Sequence, residues 1–381
     1  MENKKQRYNL IELRKLLHQN AELSHREIVT SKIIFDYMNL NKPDKIISFD
    51  KGYAFVFDSG HPGLTTLFRA DMDALPIQEK TGCKYSSNTK NTSHMCGHDG
   101  HMAILCGLAD QISQNKPQKG KVILLFQPAE ETGEGAELIV NNQKFKELNP
   151  DYIFGLHNIP GYNKGNILFK RNNFASASRG MIIKLTGKTS HAAEPENGIN
   201  PVFAIEKMIK RLYDILECKS DFIEFVSLTI IYIKLGEIAF GTSPGYAEVM
   251  LTLRSLSNVD MKLLIQKSED IVKKTSDEEN LKSEISYKEI FPAVINDDEC
   301  VDIIQRSAVQ SNLETFELQQ PFKWSEDFSY YTENYKGAFF GIGAGEDHSD
   351  LHNSDYDFPD DIIEIGVKMY FQIYKNIYKV K

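Results

Sequence analysis

The sequence is poor in cysteine, lacks any long apolar run and has no excess of positive charge. Five cysteines in 381 residues are an odd and widely spread set that does not suit a disulfide scaffold: Cys83, Cys96, Cys106, Cys218 and Cys300. No apolar run approaches the roughly 20 residues that a membrane-spanning helix needs. Residues 1–7 are charged, but the apolar segment of an export signal does not follow them. We therefore expect a reducing, cytoplasmic location and no membrane partner.

Charge and composition narrow the class of protein further. A formal net charge of −9 argues against a nucleic-acid or anionic-membrane partner and is otherwise typical of a solvated acidic surface. Hydrophobic residues make up 41% of the chain and charged residues 25%, as in soluble globular enzymes. The length predicts two domains, or one large domain with a smaller one inserted into it.

Strands and helices alternate in the first part of the chain. Helical spacing of leucines predicts a first helix at 10–17, and further helices are predicted at about 24–38 and 102–112. Strands are predicted at 53–57, 65–68, 121–126 and 153–156, of which the last two are continuously apolar. This order predicts an α/β domain with a mostly parallel sheet covered by helices on both faces.

The pattern changes at about residue 179. The order becomes strand 181–186, helix 201–217, strands 225–234 and 246–254, helix 260–275 and a strand near 283–287, which predicts a small antiparallel α+β domain. The α/β pattern then resumes with a helix at 300–310 and a strand at 337–342. We therefore expect one catalytic domain, 1–178 and 289–381, with residues 179–288 inserted as a second domain.

A dense group of metal-binding side chains lies in the run His94–His101 (HMCGHDGH). Thiolates and imidazoles bind borderline transition metals well, and Cys96 and His98, separated by a glycine, can turn toward one ion in a tight loop. The alternative is a buried cysteine beside surface histidines. His94 and His101 are ambiguous, and we favour a role for both as partners that hold the ligands in place.

Acidic residues follow two of the predicted strands. Asp71 and Asp73 come after one strand, and Glu130 and Glu131 follow another in a turn rich in proline and glycine. Sites in open α/β sheets form at the carboxyl ends of strands, so these side chains are expected to converge. One glutamate can bind metal while the other takes a proton from water, the two parts of metal-assisted hydrolysis. The alternative is a solvated acidic loop.

Two more histidines are candidate ligands. His157 is predicted to leave an apolar strand into a loop, and His352 lies near the C-terminus with His348 as a competitor. A lone histidine at such a position is commonly structural, so the residues alone leave both assignments open.

The motifs together resemble the dinuclear metalloaminoacylases of metallopeptidase family twenty, in the branch of hippurate hydrolases, auxin-conjugate hydrolases and N-acetyl-diaminopimelate deacetylases. The resemblance extends over nearly the whole chain. Its motifs are Leu16–Ser24 (LLHQNAELS), Arg69–Pro76 (RADMDALP), Met95–His101 (MCGHDGH), Phe126–Glu131 (FQPAEE), Gly155–His157 (GLH), Gly187–Ala193 (GKTSHAA), Glu326–Phe328 (EDF) and Leu351–His352.

The resemblance implies two divalent metal ions, manganese or zinc, bridged by the thiolate of Cys96. The implied ligands at the first ion are His98 and His157, and those at the second are Glu131 and His352. It further implies that Glu130 is the general base and that Asp73 supports the metal cluster from behind.

The inserted domain is similar to the family's lid and dimerisation domain, which implies a candidate homodimer. His191 resembles the residue that stabilises the oxyanion of the substrate, with an ordinary surface turn as the alternative. Many relatives have Asn-Val-Ile-Pro in the lid, whereas the matching stretch here is Gly241–Pro244 (GTSP), so the substrate is in doubt but hydrolysis is not. Arg254 is a candidate for binding the substrate carboxylate, and a surface salt bridge is the alternative.

These observations predict a metal-dependent amidohydrolase that cleaves N-acyl amino acids or related conjugates, small-molecule substrates. No covalent acyl-enzyme is expected, because Cys96 would be a metal ligand. A dipeptidase or carboxypeptidase with the same metal centre is the related alternative. A metal-binding homologue with impaired catalysis is the alternative of a different class, and the intact Glu130 argues against it.

Overall fold

The computed structural model describes residues 8–380, and the expectation about an export signal at residues 1–7 lies outside them. The helices are α1 (Leu10–Gln19), α2 (Ile28–Asn39), α3 (His98–Gln114), α4 (Gly135–Asn141), α5 (Gln143–Lys146), α6 (Val202–Glu217), α7 (Asn258–Glu278), α8 (Asp298–Gln310), α9 (Ser329–Thr332) and α10 (Ile363–Tyr378). The strands are β1 (Lys45–Phe49), β2 (Gly52–Asp58), β3 (Thr65–Asp71), β4 (Lys121–Gln127), β5 (Tyr152–Pro160), β6 (Ile167–Phe169), β7 (Asn172–Ala175), β8 (Ala177–Thr186), β9 (Ser190–His191), β10 (Val226–Leu235), β11 (Thr242–Ser243), β12 (Tyr246–Ser255), β13 (Lys282–Phe291), β14 (Val294–Asn296), β15 (Thr315–Glu317) and β16 (Gly337–Gly345).

The chain divides into two compact units. The larger unit comprises the residues through Phe174, Val294–Gln320 and the residues from Glu326 onward, and the smaller unit comprises Ala175–Ala293 and Pro321–Ser325. Among residues 8–380, no helix has both the length and the apolar composition that crossing a bilayer requires.

The larger unit contains an eight-stranded sheet of order β1-β2-β4-β3-β5-β16-β6-β15. Its central run β4-β3-β5-β16 is parallel, whereas β1–β2, β2–β4 and β16–β6 pair antiparallel. Nearly every residue of the four central strands is buried. Because successive side chains of a strand point to opposite faces, both faces of this sheet are covered. The predicted α/β class with a mostly parallel core is confirmed.

Helices α1, α3 and α10 pack in the same core as this sheet. A capping box begins α1, in which Asn9 accepts from the Glu12 amide and the Glu12 carboxylate accepts from the Asn9 amide. Most of α3 is buried, and its apolar side chains share one core with α1, α10 and the central strands. The core therefore lies directly below the first turn of α3, where the Cys/His run is located.

The smaller unit is a four-stranded antiparallel sheet of order β10-β12-β8-β13 with α6 and α7 packed on it. Its buried residues form a separate hydrophobic core. One face of β12 is buried and the other is half-buried, the alternation typical of a sheet covered on one side. This is the antiparallel α+β arrangement predicted for the inserted region.

The structure corrects three predicted boundaries. Helix α2 begins at Ile28 and not near residue 24, because Leu23 pairs with Ala74 and His25 has a positive φ of 65°. Helix α3 begins at His98 and not at 102, so the Cys/His run includes its first turn. Strand β5 continues past residue 156, which places His157 inside a strand and not in a loop.

Candidate metal centre

The site forms at the carboxyl ends of the central parallel strands. Strand β3 ends at Asp71, which pairs with Gln127 at the end of the neighbouring β4. His157 lies in the last half of β5, on the other side of β3. Side chains that are distant in sequence therefore meet at one edge of the sheet, as sites in parallel sheets do.

Gly97 sets the positions of Cys96 and His98. It caps the N-terminus of α3 with a left-handed φ of 91°, a conformation that side chains other than glycine seldom adopt. A Cβ at this position would lie only 2.5 Å from Oδ1 of Asn158. The backbone therefore passes close over Asn158, and the donors on either side of Gly97 turn toward the same space.

The expected ligands form two groups that share one thiol. Donor atoms of Cys96, His98 and His157 lie within 4.8 Å of one another, and so do those of Cys96, Glu131 and His352. The Cys96 sulfur lies 3.4 Å from Nε2 of His157. A thiolate shared between two donor groups can bridge two divalent ions.

The imidazole tautomers suit metal binding. Nδ1 of His98 lies 2.9 Å from the backbone oxygen of Asp73, and Nδ1 of His157 lies 2.8 Å from the backbone oxygen of Asn158. Each Nδ1 therefore carries its proton toward a carbonyl and leaves Nε2 for a ligand bond. Nε2 of His98 and Oε1 of Glu131 are buried without a hydrogen-bond partner, so these donors fit a metal ion.

His352 reaches the second group from a loop. Its backbone N–H donates to the oxygen of Met95 at 2.8 Å, and its φ is positive, 66°. Nε2 of His352 lies 3.8 Å from Oε2 of Glu131. The competitor His348 instead packs its ring against Tyr356. His352 is therefore the residue of this pair that joins the Cys96 group.

The Asp73 carboxylate organises the two glutamates. Its Oδ1 accepts from the backbone N–H of Glu130 at 3.1 Å, and its Oδ2 accepts from that of Glu131 at 3.0 Å. The hydroxyl of Ser24 also donates to Oδ2, at 2.7 Å. Burial opposes ionisation, but these hydrogen bonds and the neighbouring His98 keep the pKa of Asp73 lowered. Asp73 thus fixes the backbone of both glutamates.

A strained turn presents the glutamate pair. Ala129 has a positive φ of 55°, and its N–H donates to the buried carboxylate of Glu27 at 2.8 Å. Burial, and then the charge of Asp73, raises the pKa of Glu27 to about 7. The turn directs Glu130 and Glu131 to one side, where regular strand geometry would send them to opposite faces.

Negative charge is concentrated in this buried space. Burial, followed by repulsion from Glu326 and Glu131, raises the pKa of Glu130 well above its usual value. Burial raises the pKa of Glu131 to about 8, and burial with the two glutamates raises that of the Cys96 thiol. Buried anions that repel one another are stabilised by a cation, so the electrostatics also fit divalent ions.

His101 and His94 differ in their surroundings. Nδ1 of His101 lies 2.6 Å from Oδ1 of Asp71 and its Nε2 lies 2.5 Å from Oδ1 of Asn158, so both nitrogens are engaged. His94 is buried with both ring nitrogens unpartnered, and burial lowers its pKa to about 4. The contacts of His101 suit a residue that holds metal ligands in place. The surroundings of His94 indicate no role.

Sequence reasoning gave no role to Arg69, a buried cation behind Glu130. Its guanidinium donates to Asp71 at 2.6 Å and to Asp327 at 2.7 Å, and it lies 2.9 Å from Glu326. These contacts hold several carboxylates in place below the site. An arginine inside an apolar strand was the available signal, since a buried charge needs partners.

Two predicted site residues belong to the smaller unit. His191 is exposed in β9, where it pairs with Thr242 of β11, so the segment that departs from the relatives lies beside it. Arg254 is half-buried in β12 and donates to the backbone oxygen of Lys323 at 2.9 Å and to the hydroxyl of Ser325 at 3.1 Å. Neither residue is part of the donor groups around Cys96.

Several known proteins are similar to this chain. An N-acetyldiaminopimelate deacetylase of Bacillus subtilis is 30% identical over 96% of this chain and 99% of its own length. A hippurate hydrolase of Campylobacter jejuni is 30% identical over 95% of this chain and 94% of its own.

Solved structures share the fold. A putative aminohydrolase from methicillin-resistant Staphylococcus aureus superposes with a TM-score of 0.88 at 25% identity, covering 97% of this chain and 96% of its own. A dinuclear metal-binding peptidase of the M20 family from Bacillus subtilis gives 0.81 at 24% identity, over 98% of both chains.

The sequence also matches a family model. The model is described as Peptidase family M20/M25/M40, and it matches residues 67–376, well over half of the chain. The resemblance drawn from the motifs is thereby confirmed. The chain belongs to peptidase family M20/M25/M40.

Proposed function

We propose that this M20-family hydrolase is a metal-dependent amidohydrolase that cleaves the amide bond of N-acyl amino acids or related conjugates. The observation that carries the proposal is the buried Glu130 carboxylate beside two donor groups that share Cys96. The named activities of the deacetylase and hippurate hydrolase relatives support the same substrate class.

The ligands proposed for the two ions follow from the donor groups. Cys96 would bridge them, with His98 and His157 at one ion and Glu131 and His352 at the other. When bound, the ions would acidify the attacking water and stabilise negative charge on the substrate carbonyl oxygen. Manganese and zinc are the proposed metals, since thiolate, imidazole and carboxylate donors are combined.

Glu130 is the proposed proton carrier. Oε2 of Glu130 lies 4.0 Å from Nε2 of His98, at the edge of the first donor group. From there its carboxylate accepts a proton of the attacking water and returns it to the leaving nitrogen. Asp73 fixes the backbone of Glu130 during both transfers. Cys96 would be occupied as a metal ligand, so no acyl-enzyme is expected.

Two roles in the smaller unit rest on sequence alone. His191 is proposed to stabilise the oxyanion because of its motif Gly187–Ala193. Arg254 is proposed to bind a substrate carboxylate, although its observed hydrogen bonds go to neutral oxygens. Residues 179–288 are likewise proposed to form a lid.

We also propose a cytoplasmic location and a homodimer. A cytoplasmic location is supported by the sparse cysteines, all of which are free thiols. A homodimer through the inserted domain is supported by β10, an edge strand of the smaller unit with exposed Ile231 and Ile233.

A substrate panel tests the function. Protein loaded with manganese or with zinc is assayed for amine release from N-acetyl and N-benzoyl amino acids, and from dipeptides with a free amino group. We expect turnover of the acylated compounds and little turnover of the dipeptides. Faster cleavage of dipeptides would favour the dipeptidase alternative. Absence of turnover in a protein that holds metal would favour a homologue without catalysis.

A further inference from the structure

A third cluster of metal-binding side chains lies outside the candidate metal centre. His18, Glu79 and Cys83 each place one donor atom within 4.8 Å of the other two. His18 is buried in the last turn of α1, whereas Glu79 and Cys83 lie in the irregular segment between β3 and α3. None of these residues belongs to the donor groups around Cys96, so the cluster needs its own explanation.

The Glu79 carboxylate approaches each of the other two donors with a different oxygen. Nε2 of His18 lies 3.4 Å from Oε2 of Glu79, and Sγ of Cys83 lies 3.5 Å from Oε1 of Glu79. Zinc bonds of about 2.0 Å to nitrogen and oxygen, and about 2.3 Å to sulfur, imply separations of about 3.3–3.5 Å at the tetrahedral angle. The two contacts of Glu79 have separations of this size, and all three residues place a donor atom within 4.8 Å of the others, so the three side chains can bind one ion.

His18 is oriented for a ligand bond. Its Nδ1 lies 2.9 Å from Oδ2 of the buried Asp99, and Nη1 of Arg14 holds the same oxygen at 3.3 Å. The other nitrogen, Nε2, is buried, faces Glu79 and has no hydrogen-bond partner of good geometry. A carboxylate on one imidazole nitrogen and a metal on the other is a common arrangement of metal-binding histidines.

We propose that His18, Glu79 and Cys83 bind a structural zinc ion that is separate from the catalytic metals. Soft thiolate and imidazole donors select zinc over magnesium or calcium. The ion would join the segment between β3 and α3 to α1, close to where that segment enters the Cys/His run. A long irregular segment gains most from such a link, because its ordering costs the most conformational entropy.

Without a bound zinc ion, His18 carries a proton in its place. Burial opposes charge on His18, but the carboxylates of Asp99 and Glu79 outweigh it and raise the pKa of His18 to about 10. Zinc would displace this imidazole proton and the thiol proton of Cys83, and both would pass to solvent.

Zinc content tests the proposal. Wild-type protein, Cys83→Ser and the control Cys218→Ser, which changes the exposed cysteine of the smaller unit, are loaded with zinc, freed of excess and analysed for bound metal. We expect Cys83→Ser to hold one zinc ion per chain fewer than the wild type and Cys218→Ser to hold the same number. Equal zinc content in Cys83→Ser and wild type would overturn the proposal, whatever the total.

A second measurement uses the unaltered chain, in case the variant folds poorly. Alkylation of each cysteine by iodoacetamide is followed by mass spectrometry with and without bound zinc. We expect zinc to slow the alkylation of Cys83 at least tenfold, while Cys218 serves as the exposed reference. Alkylation of Cys83 at the same rate in both states would contradict the site.

Discussion

At the scale of single residues, His18 is a buried cation in a network of charges beside the candidate metal centre. It lies between Asp99, whose Oδ2 is 2.9 Å from Nδ1, and Glu79, whose Oε2 is 3.4 Å from Nε2. Arg14 is wholly buried and contacts the same Asp99. A protonated imidazole held in this way stabilises the fold only while it keeps its proton.

The first prediction is a pH dependence of stability that belongs to His18. Its pKa is raised from 6.5 unfolded to about 10 folded, so its contribution is fully present below pH 6.5 and is lost as the pH rises through 10. Each pH unit in that interval removes about 1.4 kcal/mol. Urea unfolding of metal-free wild type and His18→Gln measures this contribution as the difference in unfolding free energy.

We expect that difference to shrink steadily between pH 6.5 and pH 10. His25→Gln is the control, because His25 is partly exposed and pairs with Glu134 at the surface. A difference between wild type and His18→Gln that stays constant over the interval would show that His18 is not a buried cation.

Site residues within a short sequence motif could be predicted, whereas residues whose partners are distant in sequence could not. Cys96 and His98 lie in one short run, and Glu130 follows a strand, so their chemistry shows in the sequence. Arg69 donates to a residue 258 positions away, and Asn158 to one 198 positions away. Spacing along the chain carries no information about such pairs, since the fold alone brings them together.

At the scale of elements, the first turn of α3 joins the metal ligands to the core. His98 is its first residue, and most of the helix is buried in the core that it shares with α1 and α10. Gly97, with its φ of 91°, connects the preceding loop to the helix. A change in its backbone conformation would shift Cys96 and His98 relative to each other.

The second prediction concerns Gly97→Ala. The new methyl group would meet Asn158 at 2.5 Å and would also disfavour the left-handed backbone. The clash should cost about 1–3 kcal/mol beyond the backbone strain, which is itself about 1–2 kcal/mol. We expect a loss of that size in thermal or urea unfolding, together with at least tenfold weaker metal binding by titration against a chelator.

Gly60→Ala provides the matched control. Gly60 also has a positive φ, of 74°, but nothing lies within 4 Å of the position of its Cβ. It should therefore show the strain without the clash and keep normal metal affinity. Equal effects of the two substitutions on stability and metal affinity would refute the role given to the contact with Asn158.

Element types were easier to predict than element ends. The continuous apolar run at 121–126 became β4, and the leucines at helical spacing became α1. The ends failed where single contacts overrode the pattern: the pairing of Leu23 with Ala74 delays α2, and the Gly97 cap starts α3 early. The C-terminal α10 was not assigned from the sequence, although its buried residues complete the same core.

At the scale of the whole molecule, family membership and the α/β fold were predictable because motifs from residue 16 to residue 352 occur in one order. The family match at 67–376 confirms the predicted family. The extent of the inserted domain was predicted as 179–288, and the smaller compact unit runs over 175–293 with the short segment 321–325. The added segment is remote in sequence, so its place in that unit had no local signal.

The third prediction is a homodimer in solution that depends on β10. Ile231 is 62% exposed on this edge strand, and an edge with apolar side chains favours pairing with another chain. Ile231→Lys should weaken self-association at least tenfold in sedimentation experiments. Leu64→Lys, at an exposed position of the larger unit, should leave the dimer intact. A wild-type protein that sediments as a monomer at micromolar concentration would refute this assembly.

The most direct test of the central claim is the turnover of Glu130→Gln with its metal content measured in the same preparation. Glutamine keeps the shape of the side chain but cannot carry the proton, so kcat for an N-acyl amino acid should fall by about 10²–10⁴-fold. Glu130→Gln should still hold two ions per chain in the candidate metal centre, in addition to any ion bound by Cys83. The control Glu134→Gln, in the same turn, should retain both metal and turnover. If Glu130→Gln held its metal and hydrolysed the substrate as fast as the wild type, Glu130 would not be the general base and the proposed mechanism would be wrong.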